Sequence, residues 1–486
     1  MPFPYLPDTA TDALKGAGSY VSRLLTPSVR LGVTGLARSG KTVFITALVR
    51  NLIEGGRLPF FAAHAENRIL RAYLQPQPND ELPRFDYEQH VRALERDPPE
   101  WPASTRRISQ LRVTIEYQSA RSYRRALGPS ALNLDIIDYP GEWLLDLALI
   151  EQSFAQWSDK AFARASDPRY ASAAKPWLSH LKSGLSPQSD PEQTAIAGAG
   201  LYTSYLNAAR TANDALSTAG PGRFLMPGDL EGSPLLTFFP LPADLRGANE
   251  ALLALLEKRF EGYKANVARP FFRDYFSRLD RQIVLVDALS AMNAGAEAIR
   301  ELDHSLNEVL RVFRPGANSW LSSITGRRVD RLMFAASKAD HIHSTSHDRL
   351  EAILRTLTDR AIARAEGAGA CVGVVALAAL RAPREAEIKD RGQKLPCIRG
   401  VPMPGEVVGG QRLDGTKEVA IFPGDLPEDP VAYLDAAASR KSVPATTFVR
   451  FRPPRITAPA GSVDIPILPH IRLDRALDFL IGDWLK

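Results

Sequence analysis

Cysteine is almost missing from this 486-residue chain: Cys371 and Cys397 are the two it has. Neither sits in a C-x-x-C pair, so the sequence implies neither a zinc framework nor a disulfide scaffold. Long hydrophobic runs are missing as well. The longest, Ala370 to Leu380, suits a buried strand and its turn and falls short of the ~20 residues that a membrane-spanning helix needs. The opening stretch MPFPYLPDTATDAL has neither the basic nor the apolar region of a secretory signal. No internal repeat is present. These absences point to a reducing cytoplasm and no transmembrane segment.

What is present suits a large soluble protein. A hydrophobic share of 45% provides a sizeable core, and 486 residues exceed one usual compact domain. The net charge of +5 fits an anionic ligand or a negatively charged surface, although most basic side chains read as a solvated face. No specific nucleic-acid partner is expected.

The informative stretch is Gly35-Leu36-Ala37-Arg38-Ser39-Gly40-Lys41-Thr42, a complete G-x-x-x-x-G-K-[ST] loop. An apolar strand, Val29 to Thr34, runs into it, and an apolar helix from about Thr42 to Leu52 runs out of it. Backbone N–H groups from Gly35 to Val43 at the start of such a helix form an anion cradle. Lys41 is placed to reach the β- and γ-phosphates, and the Thr42 hydroxyl to ligate Mg²⁺. A glycine-rich turn that binds nothing would explain the glycines but not Lys41-Thr42.

Residues from about 8 to 25 read as an amphipathic helix docked on the core. AENRILRAYL (Ala65 to Leu74) reads as a helix and QPQPNDELPRFDY as loop. Leu111, Val113, Ile115 and Tyr117 alternate with Arg112, Thr114 and Glu116, the pattern of a strand with one solvated face at a sheet edge. A strand from Ala131 to Asp138 follows after a loop too short for a crossover, so the two should pair antiparallel. Residues 144 to about 275 read as successive helices. Strands at Gln282 to Asp287, Asp330 to Ala336 and Ala370 to Ala376, separated by helices at Ala294 to Phe313 and about His347 to Glu366, announce a doubly wound parallel sheet. The last hundred residues are richer in Gly and Pro. They should form short strands at 397–401, 419–422 and 447–451, and a helix from Leu473 that packs back on the core.

Four further stretches fall where a GTPase needs them. Asp138-Tyr139-Pro140-Gly141 is a D-x-x-G at a strand end. Its carboxylate suits Mg²⁺, and the Gly141 N–H suits γ-phosphate sensing. Ser337-Lys338-Ala339-Asp340, followed by His341, is close to the guanine-reading N/T-K-x-D pattern. One carboxylate accepts both the N1–H and N2–H₂ donors of guanine, which adenine does not present. The Lys338 stem can lie over the base, and the Ser337 hydroxyl can tie this loop to the phosphate loop. Thr105, in Trp101-Pro102-Ala103-Ser104-Thr105, stands where a switch threonine would meet Mg²⁺ and γ-phosphate. Ala378 and Ala379, after the last parallel strand, are placed to offer N–H groups to the guanine oxygen. Glu142 occupies the position of a water-orienting Gln, where a second anion beside phosphate is costly. Arg38, Arg106 or Arg107 could supply a compensating guanidinium, but each reads first as a surface cation, so turnover should be slow. His341, His343 and His347 read as residues leading from the base-reading loop into a helix, with Ser344 to Ser346 as its capping candidates, rather than as a metal site.

GLARSGKT, WPAST, DYPGEWLLDL, QIVLVDALSAMNAG, SKADHIH and FPGDLP together resemble the YcjX family of bacterial stress-associated GTPase-like proteins. The resemblance covers nearly the whole chain. It implies an α/β P-loop NTPase core of the TRAFAC GTPase type with an inserted helical domain, guanine-nucleotide binding, a link to phage-shock or envelope stress, and a membrane-protein partner of the YcjF type. The chain should then divide into an N-terminal helix (1–26), a first core part (27–143), a helical insertion (144–280), a second core part (281–380) and a C-terminal extension (381–486). The expected activity is a Mg²⁺-dependent GTP-binding, slowly hydrolysing switch. A non-enzymatic nucleotide-stabilised adaptor and an ATPase remain open beside it.

Overall fold

The computed structural model describes residues 26–35, 38–104, 107–184, 186–212, 220–309, 329–390, 393–439, 443, 446–456 and 467–486. The expected N-terminal helix and the residues Ala37, Thr105 and Arg106 lie outside the described residues. So does the end of the helix expected to reach Phe313.

A seven-stranded sheet forms the centre, in the order β2-β3-β4-β1-β5-β6-β7. The strands are β1 (Ser28–Gly35), β2 (Ile69–Gln75), β3 (Ser109–Tyr117), β4 (Ser130–Asp138), β5 (Arg281–Val286), β6 (Arg331–Ala336) and β7 (Cys371–Ala376). β4, β1, β5, β6 and β7 are parallel neighbours, while β2–β3 and β3–β4 are antiparallel. The fold is therefore α/β with a mainly parallel sheet. Parallel strands covered on both faces are apolar throughout, as in QIVLV and LMFAA.

Helix α1 (Lys41–Ile53) lies on one face, and the C-terminal helix α11 (Leu473–Ile481) packs back on that same face. The opposite face carries α8 (Ala296–Val309), α9 (His347–Gly367) and α10 (Pro430–Ala438). A third cluster is built by α3 (Phe154–Ala165), α4 (Pro168–Gly184), α5 (Pro191–Ala212) and α6 (Glu250–Tyr263) around Trp157, Trp177, Tyr202 and Phe238. It begins at Leu149 and ends at Val267. Leu144, Leu145 and Leu147 before it, and Phe271 to Phe276 after it, pack with the sheet instead.

Three expectations need correction. Ile69–Gln75 is a strand, not a helix. Its apolar spacing suits either form, and pairing with β3 decides: Arg71 forms a bidentate pair with Glu116 at 2.6 Å, and the Tyr73 hydroxyl donates to the same carboxylate at 3.0 Å. β2 is consequently an edge strand, and β3 is an interior strand whose polar residues are partnered. Arg112 pairs with Asp135, and Thr114 donates to Asn133 at 2.7 Å. Finally, residues 447–450 form no strand, and Phe451 makes a single bridge to Pro402.

Candidate functional site

The turn from β1 into α1 has an unusual backbone. Arg38 and Gly40 both take left-handed φ angles, 64° and 87°. Gly40 caps α1, so Lys41 and Thr42 open the helix. The Lys41 ammonium folds back to donate to the Gly35 carbonyl at 2.8 Å. A Cβ at Gly35 would lie 2.5 Å from the Leu285 carbonyl, so β1 approaches β5 here more closely than a side chain permits. The Ser39 hydroxyl is buried with no hydrogen-bond partner among the described residues.

Asp138 closes β4 in parallel register with Val33, two residues before Gly35. The Tyr139 hydroxyl accepts from Gln282 at 2.6 Å in the interior. Gly141–Trp143 form a 3₁₀ turn that leads into the short helix α2 (Leu144–Leu149). Glu142 is buried, and its Oε2 has no hydrogen-bond partner among the described residues.

Sequence reasoning missed how this turn is held. The Gly222 amide donates to Asp146 Oδ1 at 2.6 Å, and Trp143 Nε1 donates to the Met226 carbonyl at 3.1 Å. The Arg223 guanidinium lies 3.3 Å above the Trp143 ring and donates to Asp229 at 2.7 Å. A Cβ on Gly222 would fall well inside van der Waals contact with the Glu142 carbonyl oxygen. Burial raises the Asp146 carboxyl to about 6, against the opposing pull of the Gly222 amide. GPGRF gave no signal of this contact beyond its two glycines.

The end of β6 carries the second constellation. Ser337 Oγ donates to the Val286 carbonyl at 3.3 Å, so it ties the loop to the end of β5 and not to the phosphate loop. Lys338 takes a left-handed φ of 62°, and its ammonium pairs with Asp287. Asp287 also caps α7 (Ala288–Ala294), accepting from the Ser290 amide at 3.1 Å and its hydroxyl at 2.6 Å. Burial alone would raise the Asp287 carboxyl, but Lys338 and Ser290 outweigh it and hold it below the usual range. The D-A-L-S cap pattern at a strand end was the signal for this residue. Asp340 is buried and accepts the Ala382 amide through Oδ2 at 2.8 Å.

The Ala378 amide donates to the Ile471 carbonyl at 3.1 Å. The expected pair of base-facing amides thus narrows to Ala379. His341 is half-buried with its ring edge-on to Phe451 at 5.5 Å, and burial lowers its pKa. His343, rather than a serine, caps the 3₁₀ turn Ser344–Ser346, and His347 bonds the Ala339 carbonyl at 2.9 Å. Among the described residues no cluster of three His, Cys, Asp or Glu could hold a metal ion.

One cavity of about 1580 Å³ joins these parts. Lys41, Thr42, Val43, Glu142, Lys338 and Asp340 line it, with Arg38, Ser39 and Gly40 at its phosphate-loop side. Ser337, His341, Ala378 and Ala379 line it at the other end, and Arg107 stands on its wall. Gly35, Asp138 and Gly141 are not among its lining residues. The family model described as "YcjX-like family, DUF463" matches residues 29–485. The chain belongs to the YcjX-like family. It is 35% identical over 482 residues to the protein named "Ras-like GTPase YcjX" of Escherichia coli (strain K12), covering 96% of this chain and 98% of that one. To the protein of the same name from Shewanella oneidensis (strain MR-1) it is 32% identical over 496 residues, covering 96% and 97%. In this YcjX-like chain, Asp287 and the Gly222–Asp229 segment are the additions that three dimensions make to the linear motifs.

Proposed function

We propose that this chain binds a guanine nucleotide with Mg²⁺ and hydrolyses GTP slowly as a molecular switch. One observation carries the reading: Lys41-Thr42, the Asp138 strand end and Lys338-x-Asp340 converge around a single cavity at the ends of neighbouring strands. Both relatives are named Ras-like GTPases, which supports the GTP-binding part of this reading.

The donor set suits the ligand. The Lys41 ammonium exchanges its Gly35 carbonyl for phosphate oxygens, and the buried Ser39 hydroxyl and the loop amides face the same anion. Asp138 and the Thr42 hydroxyl are hard oxygen donors fitted to Mg²⁺, with Thr105 as a third. When bound, Mg²⁺ neutralises charge on the phosphates. Asp340 holds its carboxylate with one oxygen on the Ala382 amide and accepts the guanine N–H pair. Lys338, fixed by Asp287, lays its stem along the base, and Ala379 offers its amide. Arg38 and Arg107 remain candidate charge compensators.

Glu142 favours slow chemistry. A buried carboxylate beside phosphate repels the anion that it would have to serve. The same residue supports a second reading, an adaptor that holds nucleotide without turning it over. We assign the helical residues 144–280, clamped to the Gly141–Asp146 turn, the task of reporting nucleotide state. A membrane-protein partner of the YcjF type in a stress response belongs to this proposal.

Titration calorimetry with GDP and ADP tests the base assignment. GDP should bind and ADP should not, and Lys41→Ala should abolish GDP binding; tighter ADP binding overturns it. Multiple-turnover phosphate release separates switch from adaptor. Release that disappears in Lys41→Ala supports the first, and none above background in the wild type supports the second.

A further inference from the structure

We propose that the turn joining β3 to β4 is a contact site for an anionic lipid surface. Residues Gln118 to Pro129 contain three arginines, Arg121, Arg124 and Arg125, and no acidic residue. The same turn exposes its two largest apolar side chains: Tyr123 is 61% and Leu127 86% exposed.

The turn is preorganised. Arg125 bonds back to Arg121, Ala126 to Ser122, Leu127 to Arg124 and Gly128 to Arg125, a continuous helical run closed by Gly128 at φ 100°. In such a run, Tyr123 and Leu127 stand four residues apart and share one face. Arg125 is anchored to the carbonyls of Ser119 and Ala120 at 3.1 and 3.2 Å, and Arg121 donates to the Tyr123 hydroxyl at 3.2 Å. The result is a firm basic projection with an apolar tip.

Its size selects the partner. A stable protein interface buries ~800 Å² on each side, far more than two side chains and their flanking arginines provide. A bilayer interface asks for less: an aromatic and a leucine among the headgroups, with guanidinium groups on anionic lipid. Position agrees. The turn enters β4 at Ser130, and the eight residue steps to Asp138 put roughly 26 Å of strand between membrane and nucleotide cavity. Docking there leaves that cavity open, and the inference does not depend on which nucleotide fills it.

Co-sedimentation of the full chain with phosphatidylglycerol–phosphatidylcholine vesicles tests the proposal, with phosphatidylcholine vesicles as the neutral comparison. Wild type should pellet with the anionic vesicles, less so as salt rises. Arg124→Gln should weaken partitioning roughly fivefold, and Leu127→Asp more than tenfold. Both variants should keep the wild-type thermal midpoint, because neither side chain packs in the core. Equal pelleting on neutral vesicles, or partitioning that both substitutions leave unchanged, overturns the proposal. So does the absence of pelleting with either vesicle.

Discussion

The backbone amide of Gly222 donates to the buried carboxylate of Asp146 at 2.6 Å. This bond fastens the helical residues to the turn that follows Asp138, so a shift of either strains the contact. Trp143, gripped between the Met226 carbonyl and the Arg223 guanidinium, makes the same connection a second time. A change of position at Gly141 would therefore reach residues 220–229 through rigid contacts.

Gly222→Ala should disrupt the connection. Its methyl would collide with the Glu142 carbonyl, a backbone atom that cannot step aside. We expect a loss of roughly 1–3 kcal/mol in unfolding experiments. Gly200→Ala, in α5 with open space around it, should instead stabilise by up to ~1 kcal/mol. Equal effects at the two sites would contradict the collision.

Asp146 gives a pH signature. Its carboxyl is raised from 3.8 to about 6 because burial penalises the charge. The folded chain therefore holds this proton more tightly than the unfolded chain. Its contribution to stability is full below pH 3.8 and is lost as pH rises through about 6. Asp146→Asn keeps an acceptor for Gly222 and removes the charge. The difference in unfolding free energy between variant and wild type should grow in the variant's favour between about pH 4 and 6, then level off near roughly 3 kcal/mol. A difference independent of pH would show that burial does not raise this carboxyl.

Asp287→Asn tests the hold on Lys338. The variant retains a cap for Ser290 but no longer pairs with the ammonium. GDP affinity should fall about tenfold by calorimetry, the scale of one charge-assisted bond. Unchanged affinity would mean that Lys338 needs no anchor.

Thr42→Ala addresses the metal. GDP binding should persist in the variant but become insensitive to Mg²⁺ chelation, whereas wild-type affinity should drop on chelation. Equal sensitivity in both proteins would remove Thr42 from the metal's surroundings.

Much of this was legible in the sequence because it is local. The loop from Gly35 to Thr42 is contiguous, and the apolar runs QIVLV and RLMFAA are short enough to read as buried strands. Ile69–Gln75 is not legible in this way, because its apolar spacing satisfies helix and strand alike and only the partner β3 decides. Gly222 and Asp146 are 76 residues apart, and no periodicity links them. The Ser337 hydroxyl and the Ala378 amide looked available because their partners, Val286 and Ile471, come from other elements. Motifs announce which groups are present, while tertiary contacts decide which of them are already engaged.

The central claim is that Asp340 reads guanine. Asp340→Asn replaces one carboxylate acceptor with an amide donor, which suits the 2-oxo group of xanthine and opposes the 2-amino group of guanine. Binding of GDP and of xanthosine diphosphate should be measured for both proteins. The account predicts GDP preference in the wild type, and in the variant a GDP affinity weakened by more than tenfold with xanthosine diphosphate bound more tightly. Undiminished GDP binding by Asp340→Asn would contradict it.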